Sequence, residues 1–246
     1  MRNIRILLQY EGTRYQGWQK QQSTDNTIQS KLENLLEKMC GEPVAIQGSG
    51  RTDAGVHAQG QVANFHTNCE MSLEDMLLYI NQYLPEDIAV TDIAEAAPRF
   101  HSRLNACGKH YEYLVWNRKV PDVFLRRYAL FCPEKLDLEA MRQAAGYLLG
   151  EHDFQSFTSA KKGKKSTIRR IDSIEIYEEN GLFHFCFKGN GFLYHMIRIL
   201  MGTLLEVGQG TRKAEEVLQI LDAKDRSFAG KLVPAKGLTL KEVYFK

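Results

Sequence analysis

The order of strand-like and helix-like segments constrains this chain most. Residues 4–9 form an apolar run of strand composition. A helix follows, in which Ile28, Leu32, Leu35, Leu36 and Met39 make one stripe at helical spacing. Asn26 with Gln29 three residues on has the form of a capping box that would start this helix, and Gly41 and Pro43 would stop it. Short strands are expected at 43–47 and 61–67, then a helix from Ser72 to about Tyr83 before Pro85, then a strand at 88–93. Strand, helix, strand, strand, helix, strand is the order of the split ferredoxin-like unit.

The second half repeats that order without visible sequence identity. Residues 109–116 alternate as a strand, and a helix beginning at Asp137 carries Leu138, Met141, Ala145, Leu148 and Leu149 inward before Gly150. Segments 171–177 and 182–187 flank Asn180-Gly181, the strongest short hairpin signal, with Phe183, Phe185 and Phe187 on one face. A long helix over 192–207, a short one over 214–221 capped by Thr211, and a strand at 239–244 complete the set. The expected class is α/β (α+β), with two ferredoxin-like, RRM-like halves and a central cleft between them. The expected domains are 1–104 and 105–246, with the boundary within 98–105. Loops at 120–133 and 157–167 are long, and long loops in compact domains usually serve function.

Two such halves fit a chain of 246 residues that is 43% hydrophobic. No apolar run approaches the roughly 20 residues of a membrane span, and the first residues lead into a strand rather than a signal peptide. The five cysteines are scattered and never in C-x-x-C spacing, which argues against a disulfide framework or a zinc site. The expected location is cytoplasmic. Net charge is only +2, but its distribution is uneven. Residues 99–131 carry seven Lys/Arg against Glu112 and Asp122, and Lys161-Lys162-Gly163-Lys164-Lys165 with Arg169-Arg170 adds six more without an acid. Such clusters bind phosphate backbones, or else are solvated loops.

Between the strands at 43–47 and 61–67 lies Gln47-Gly48-Ser49-Gly50-Arg51-Thr52-Asp53-Ala54-Gly55-Val56-His57-Ala58. Gly50 and Gly55 permit positive φ or close backbone approach, so the intervening Asp53 can be held tightly. A charged surface turn would need less. Glu42 and Glu70, the nearest acids in sequence, lie outside the loop, so paired-carboxylate chemistry has no local support. A single carboxylate held by cations suits a nucleophile or stabiliser at a sugar carbon. Arg198 stands in a helix apolar nearly all round, with His195, Gly202 and Glu206 in the same sector. That sector is either a solvent-facing stripe or a functional face, in which Arg198 would partner Asp53. Tyr111 and Tyr113 point to one face of a strand, where an aromatic ring either packs in the core or stacks on an unstacked base. Arg14, Tyr15 and Trp18 form either an RNA contact or a hydrophobic lid. The histidines show no metal-ligand spacing, and no glycine pair has a complete G-x-G-x-x-G context, so neither metal nor nucleotide cofactor is expected.

Four blocks resemble the TruA family of tRNA pseudouridine synthases, in the family's order. They are Tyr10-Glu11-Gly12-Thr13 with Gly17-Trp18-Gln19; Gly50 to His57 with Gln61; Phe100-His101-Ser102-Arg103 with Lys109-His110-Tyr111-Glu112-Tyr113; and Gly191-Phe192-Leu193-Tyr194-His195-Met196-Ile197-Arg198. Pro234-Ala235-x-Gly237-Leu238-x-Leu240 extends the resemblance toward the C-terminus. It implies a pseudouridine synthase fold, with Asp53 as the catalytic aspartate and Tyr111 contacting the target uridine. It further implies that Arg198 ion-pairs with the aspartate and that Arg51 helps to position RNA. The implied reaction converts uridine to pseudouridine at positions 38, 39 and 40 of the tRNA anticodon arm, without cofactor or metal, by a homodimer whose subunits both contact the tRNA. Ser102 stands where the family commonly has alanine. Three rivals remain at this level: a non-catalytic RNA-binding module, a pseudouridine synthase acting at other positions, and a glycosidase with a second carboxylate near Asp53.

Overall fold

The computed structural model describes residues 1–161, 163 and 166–246; Lys162, Lys164 and Lys165 of the basic loop lie outside the described residues. The chain divides into two compact units, Met1–Cys107 with Thr239–Lys246, and Gly108–Leu238. Both mix strands and helices, so the class is α/β as expected.

The first unit contains β1 (Arg2–Tyr10), α1 (Ile28–Cys40), β2 (Ile46–Gly48), β3 (His57–Thr67), α2 (Leu73–Tyr83) and β4 (Ile88–Glu95). β1 pairs antiparallel with both β3 and β4, and β2 pairs antiparallel with β3. The resulting order, β4-β1-β3-β2, is that of a split βαββαβ sheet. The apolar stripe of α1 is buried throughout, as are Ile4, Ile6, Leu8 and Phe65 of the sheet. α1 starts one residue later than its capping box suggests. The Asn26 amide donates to the Arg14 carbonyl, and Thr27 caps the helix by accepting the Ser30 N–H at 3.2 Å. Gly41 ends it with φ +68°, the left-handed conformation glycine adopts at helix ends.

In the second unit are β5 (Ala106–Trp116), β6 (Leu130–Phe131), α3 (Leu138–Gly146), β7 (Gly150–Asp153), β8 (Ile168–Glu179), β9 (Leu182–Gly189), α4 (Met196–Gly208) and α5 (Glu216–Ala223). β9 pairs antiparallel with β5 and β8, so β5-β9-β8 reproduces the β1-β3-β2 order of the first unit. Asn180 and Gly181 turn the β8–β9 hairpin with φ of +53° and +87°. Phe183, Phe185 and Phe187 are buried with α4, most of whose residues are buried too.

Four expectations shift. The long helix begins at Met196 rather than 192, because His195 is left-handed at φ +65° and residues 192–195 lead in without helical structure. Thr211 does not cap the short helix; its hydroxyl donates back to the Glu206 carbonyl at 2.9 Å. Leu149 is exposed because α3 has ended before it. The last strand, β10 (Leu238–Phe245), was assigned by sequence to the second half. Its Thr239 and Leu240 pair in parallel with His57 and Ala58 of β3, and residues 239–246 belong to the first unit. Gly60 makes room for it, since a Cβ there would stand 2.2 Å from the Lys241 carbonyl oxygen.

Candidate active site

In the first unit, Asp53 occupies the first corner of a four-residue turn, closed by the Val56 N–H donating to the Asp53 carbonyl at 3.1 Å. Gly55, third in this turn, has φ +79°, which glycine adopts without the usual steric cost. The turn is gripped from outside by residues 10–18. The Trp18 N–H donates to the Thr52 carbonyl at 3.0 Å and the Gly55 N–H to the Tyr15 carbonyl at 3.4 Å. Thr52 is buried, and its hydroxyl shares a 2.8 Å hydrogen bond with the Tyr10 hydroxyl. Burial holds the Tyr10 phenol well above its ordinary pKa, so it stays protonated. The Gly12 N–H donates to His57 Nδ1 at 3.0 Å.

This grip is backbone against backbone. A Cβ on Gly12 would lie 2.0 Å from the Val56 carbonyl oxygen, and one on Gly17 would lie 2.7 Å from that of Thr52. The first two sequence blocks are thus the two halves of one clamp. It leaves Thr52 and Val56 buried, Arg51 and Ala54 exposed, and Asp53 half-buried at a fixed corner. Trp18 and Tyr15 follow the hydrophobic-lid reading. Trp18 is 2% exposed and lies over Gly48, where a Cβ would stand 2.5 Å from its ring; Tyr15 donates its hydroxyl to Asp87, which also pairs with Arg14 at 2.7 Å. Ser102 has a reason to be polar. It is fully buried, its N–H donates to Asn64 Oδ1 at 2.9 Å, and its hydroxyl donates to the Gln47 carbonyl at the start of the segment 47–58.

In the second unit, Tyr111 and Tyr113 lie opposite Phe187 and Phe185 of β9, on one face of β5. Both are buried, Tyr113 the more deeply. It is fully buried, donates its hydroxyl to the Pro234 carbonyl at 2.7 Å, and packs on Gly237. Burial raises its pKa, and the neighbouring Arg198 charge partly offsets that rise. Tyr111 is 7% exposed and meets Phe192 edge-on at 5.5 Å.

Arg198 sits in the first turn of α4, where its Nε donates to the Val233 carbonyl at 2.8 Å and the Val233 N–H returns to the Arg198 carbonyl at 3.4 Å. Residues 229–234 form a strap along this side of the helix. Gly230 N–H donates to Thr203 Oγ1 at 2.9 Å and Lys231 N–H to Glu206 Oε1 at 3.3 Å. A Cβ on Gly202 would lie 1.8 Å from the Lys231 carbonyl oxygen. The sector of Arg198, Gly202 and Glu206 is therefore a strapped face rather than a solvent-facing stripe. Sequence reasoning missed the strap because residues 229–234 have no periodic pattern.

Asp53 and Arg51 thus belong to the first unit, Tyr111 and Arg198 to the second. Tyr10, Gly12 and Gly17, which fix the turn, were visible only as a separate sequence block. Among the described residues there is no group of three or more His, Cys, Asp or Glu placed to hold a metal ion. No helix among them is long and apolar enough to cross a membrane.

The family described as tRNA pseudouridine synthase matches residues 6–104 and 144–246 of the chain. "tRNA pseudouridine synthase A 1" of Clostridium tetani is 48% identical over 245 residues, covering 100% of both chains. "tRNA pseudouridine synthase A 2" of Bacillus cereus is 43% identical and "tRNA pseudouridine synthase A" of Acetivibrio thermocellus 42% identical, each again over 245 residues and 100% of both chains.

Proposed function

Because the chain belongs to the tRNA pseudouridine synthase family, and so isomerises uridine in tRNA, we propose that it acts at positions 38, 39 and 40 of the anticodon stem-loop with Asp53 as nucleophile. The observation that carries the role of Asp53 is the clamped turn: one carboxylate, half-buried, on a corner whose backbone is fixed from two directions. A nucleophile fixed in this way needs little reorganisation to meet a sugar carbon. In the reaction the bond from C1′ to N1 breaks, the uracil turns, and a bond from C1′ to C5 forms. C5 loses a proton and N1 ends with one, so substrate and product have the same composition and no electrons are exchanged. The target nucleotide must leave its stack to reach the carboxylate. Arg51, Tyr111 and Arg198 are the substrate-binding residues in this reading, and the family pattern adds a cytoplasmic homodimer with tRNA touching both subunits. The two basic clusters support a polyanionic partner.

The test is pseudouridine mapping on unmodified tRNA transcripts treated with the wild-type protein. Product confined to positions 38–40 is the expected result; product elsewhere overturns the site, and tRNA binding without product on any transcript overturns the activity.

The clamp itself can be tested at Gly17, which has φ +91° and no room for a side chain against Thr52. Gly17→Ala should displace the turn and lower single-turnover isomerisation by about 10- to 100-fold, the scale of an ångström-sized misplacement. tRNA binding should change much less. Unaltered turnover would show that the clamp does not set the position of Asp53.

A further inference from the structure

The basic loop of the second unit begins and ends on one short segment, residues 190–194, which leads into α4. At its start, Ser159 N–H and the Thr158 hydroxyl both donate to the Tyr194 carbonyl, at 3.3 and 3.0 Å. At its end, Asn190 N–H donates to the Arg170 carbonyl and Arg170 N–H donates to Asn190 Oδ1, both at 3.0 Å. The loop is therefore fastened to the segment that carries the fourth sequence block.

Two side chains at this junction are engaged only locally. Tyr194 is 55% exposed, with one ring face stacked on His195 at 3.7 Å and the rest open to solvent. Arg169 is half-buried, and its Nη1 donates only to the carbonyls of Ser166 at 3.1 Å and Ile168 at 2.6 Å. Among the described residues no carboxylate pairs with it, so desolvation alone pulls its pKa below the ordinary guanidinium value. The neighbouring Arg170 differs in this respect, being neutralised by Asp172 at 2.7 Å. Gly191 lies alongside Arg169: a Cβ built there would be 3.9 Å from the Arg169 Nε, an ordinary contact distance.

A partly desolvated guanidinium without an anion is unfavourable by itself and becomes favourable when a phosphate supplies the charge. An open tyrosine face offers what an unpaired base stacks on. We propose that Arg169 and Tyr194 form an RNA-gripping subsite of the second unit, with Arg169 taking a backbone phosphate and Tyr194 stacking on an unpaired base of the tRNA. This deepens the reading of the chain as a tRNA enzyme and rests on it. Both are positioning residues, outside the reacting atoms.

The experiment measures tRNA affinity at several salt concentrations, together with KM and kcat, for wild type, Arg169→Ala, Arg169→Lys, Tyr194→Ala and Tyr194→Phe. Arg169→Ala should weaken binding and raise KM by about tenfold, and should lower the salt slope by about one phosphate contact. Its kcat should stay near the wild-type value. Arg169→Lys should recover the slope but only part of the affinity, because an ammonium cannot make the forked contact. Tyr194→Ala should weaken binding by roughly tenfold with the slope unchanged, whereas Tyr194→Phe, which keeps the stacking face, should bind as wild type. Wild-type affinity and slope in both alanine variants overturn the proposal. So does a loss that the Lys and Phe variants share along with a lowered melting temperature, which would mark a structural role. A wild-type protein that binds tRNA but forms no pseudouridine would overturn the enzymatic reading instead, and the binding data would still judge the subsite.

Discussion

Asp53→Asn is expected to abolish pseudouridine formation while folding and tRNA binding persist. The amide has nearly the size and shape of the carboxylate but lacks its charge and its nucleophilic oxygen. The turn that carries it is closed by backbone groups, Val56 N–H on the Asp53 carbonyl and Trp18 N–H on the Thr52 carbonyl, which the substitution leaves in place. Single-turnover rates should fall by about four orders of magnitude or more, as when an enzyme loses its nucleophile. Binding should be unchanged or slightly tighter, since a negative charge near phosphates is removed. A variant that kept about a tenth of the wild-type rate would strip Asp53 of the nucleophile's role.

Gly202→Ala is expected to have the largest effect on stability. Its new methyl group would stand 1.8 Å from the Lys231 carbonyl oxygen, a contact with backbone that no rotamer can relieve. α4 cannot recede, because Met201, Leu204 and Leu205 are buried around it. The strap at 229–234 must lift instead, which strains the bonds from Gly230 to Thr203 and from Arg198 to Val233. The cost should be about 3 kcal/mol, typical of severe overpacking, read as a lower urea midpoint. Turnover should fall more than tRNA affinity, because Arg198 loses the carbonyl that orients it. Gly146→Ala is the control: a Cβ there meets nothing within 4 Å, and alanine suits a helix end. If both variants melt and turn over as wild type does, the strap does not fix Arg198.

The sequence made some of this legible because the signals were local. The α1 stripe, the Asp137 cap and the Asn180-Gly181 turn depend on neighbours within a few residues, and all three stand where expected. The Asn26 cap failed because its amide is used by a carbonyl twelve residues earlier, at Arg14, which no helical rule weighs. The start of α4 was placed too early because an apolar run reads alike whether it is a helix or a buried lead-in. β3 begins at His57 rather than 61 because its first residues pair with β10, far away in sequence. Asp53 stands out in the sequence from its motif, and Tyr111 and Arg198 from theirs. The clamp of Gly12 and Gly17 on the turn, and the strap on Gly202, were not, because each is a backbone contact made possible by a missing side chain.

The pairing of β10 with β3 gives the fold an order in time. His57 and Ala58, which leave the clamped turn, are flanked by Thr239 and Leu240. During synthesis at roughly 5–20 residues per second, the turn therefore exists for on the order of ten seconds or more before its exit strand has that neighbour. All of the second unit has been translated by then. A ribosome halting before Thr239–Lys246 would release a chain with the later unit whole and the earlier one unfinished. The Asp53 turn, though encoded early, gains this neighbour only after the whole second unit has been made.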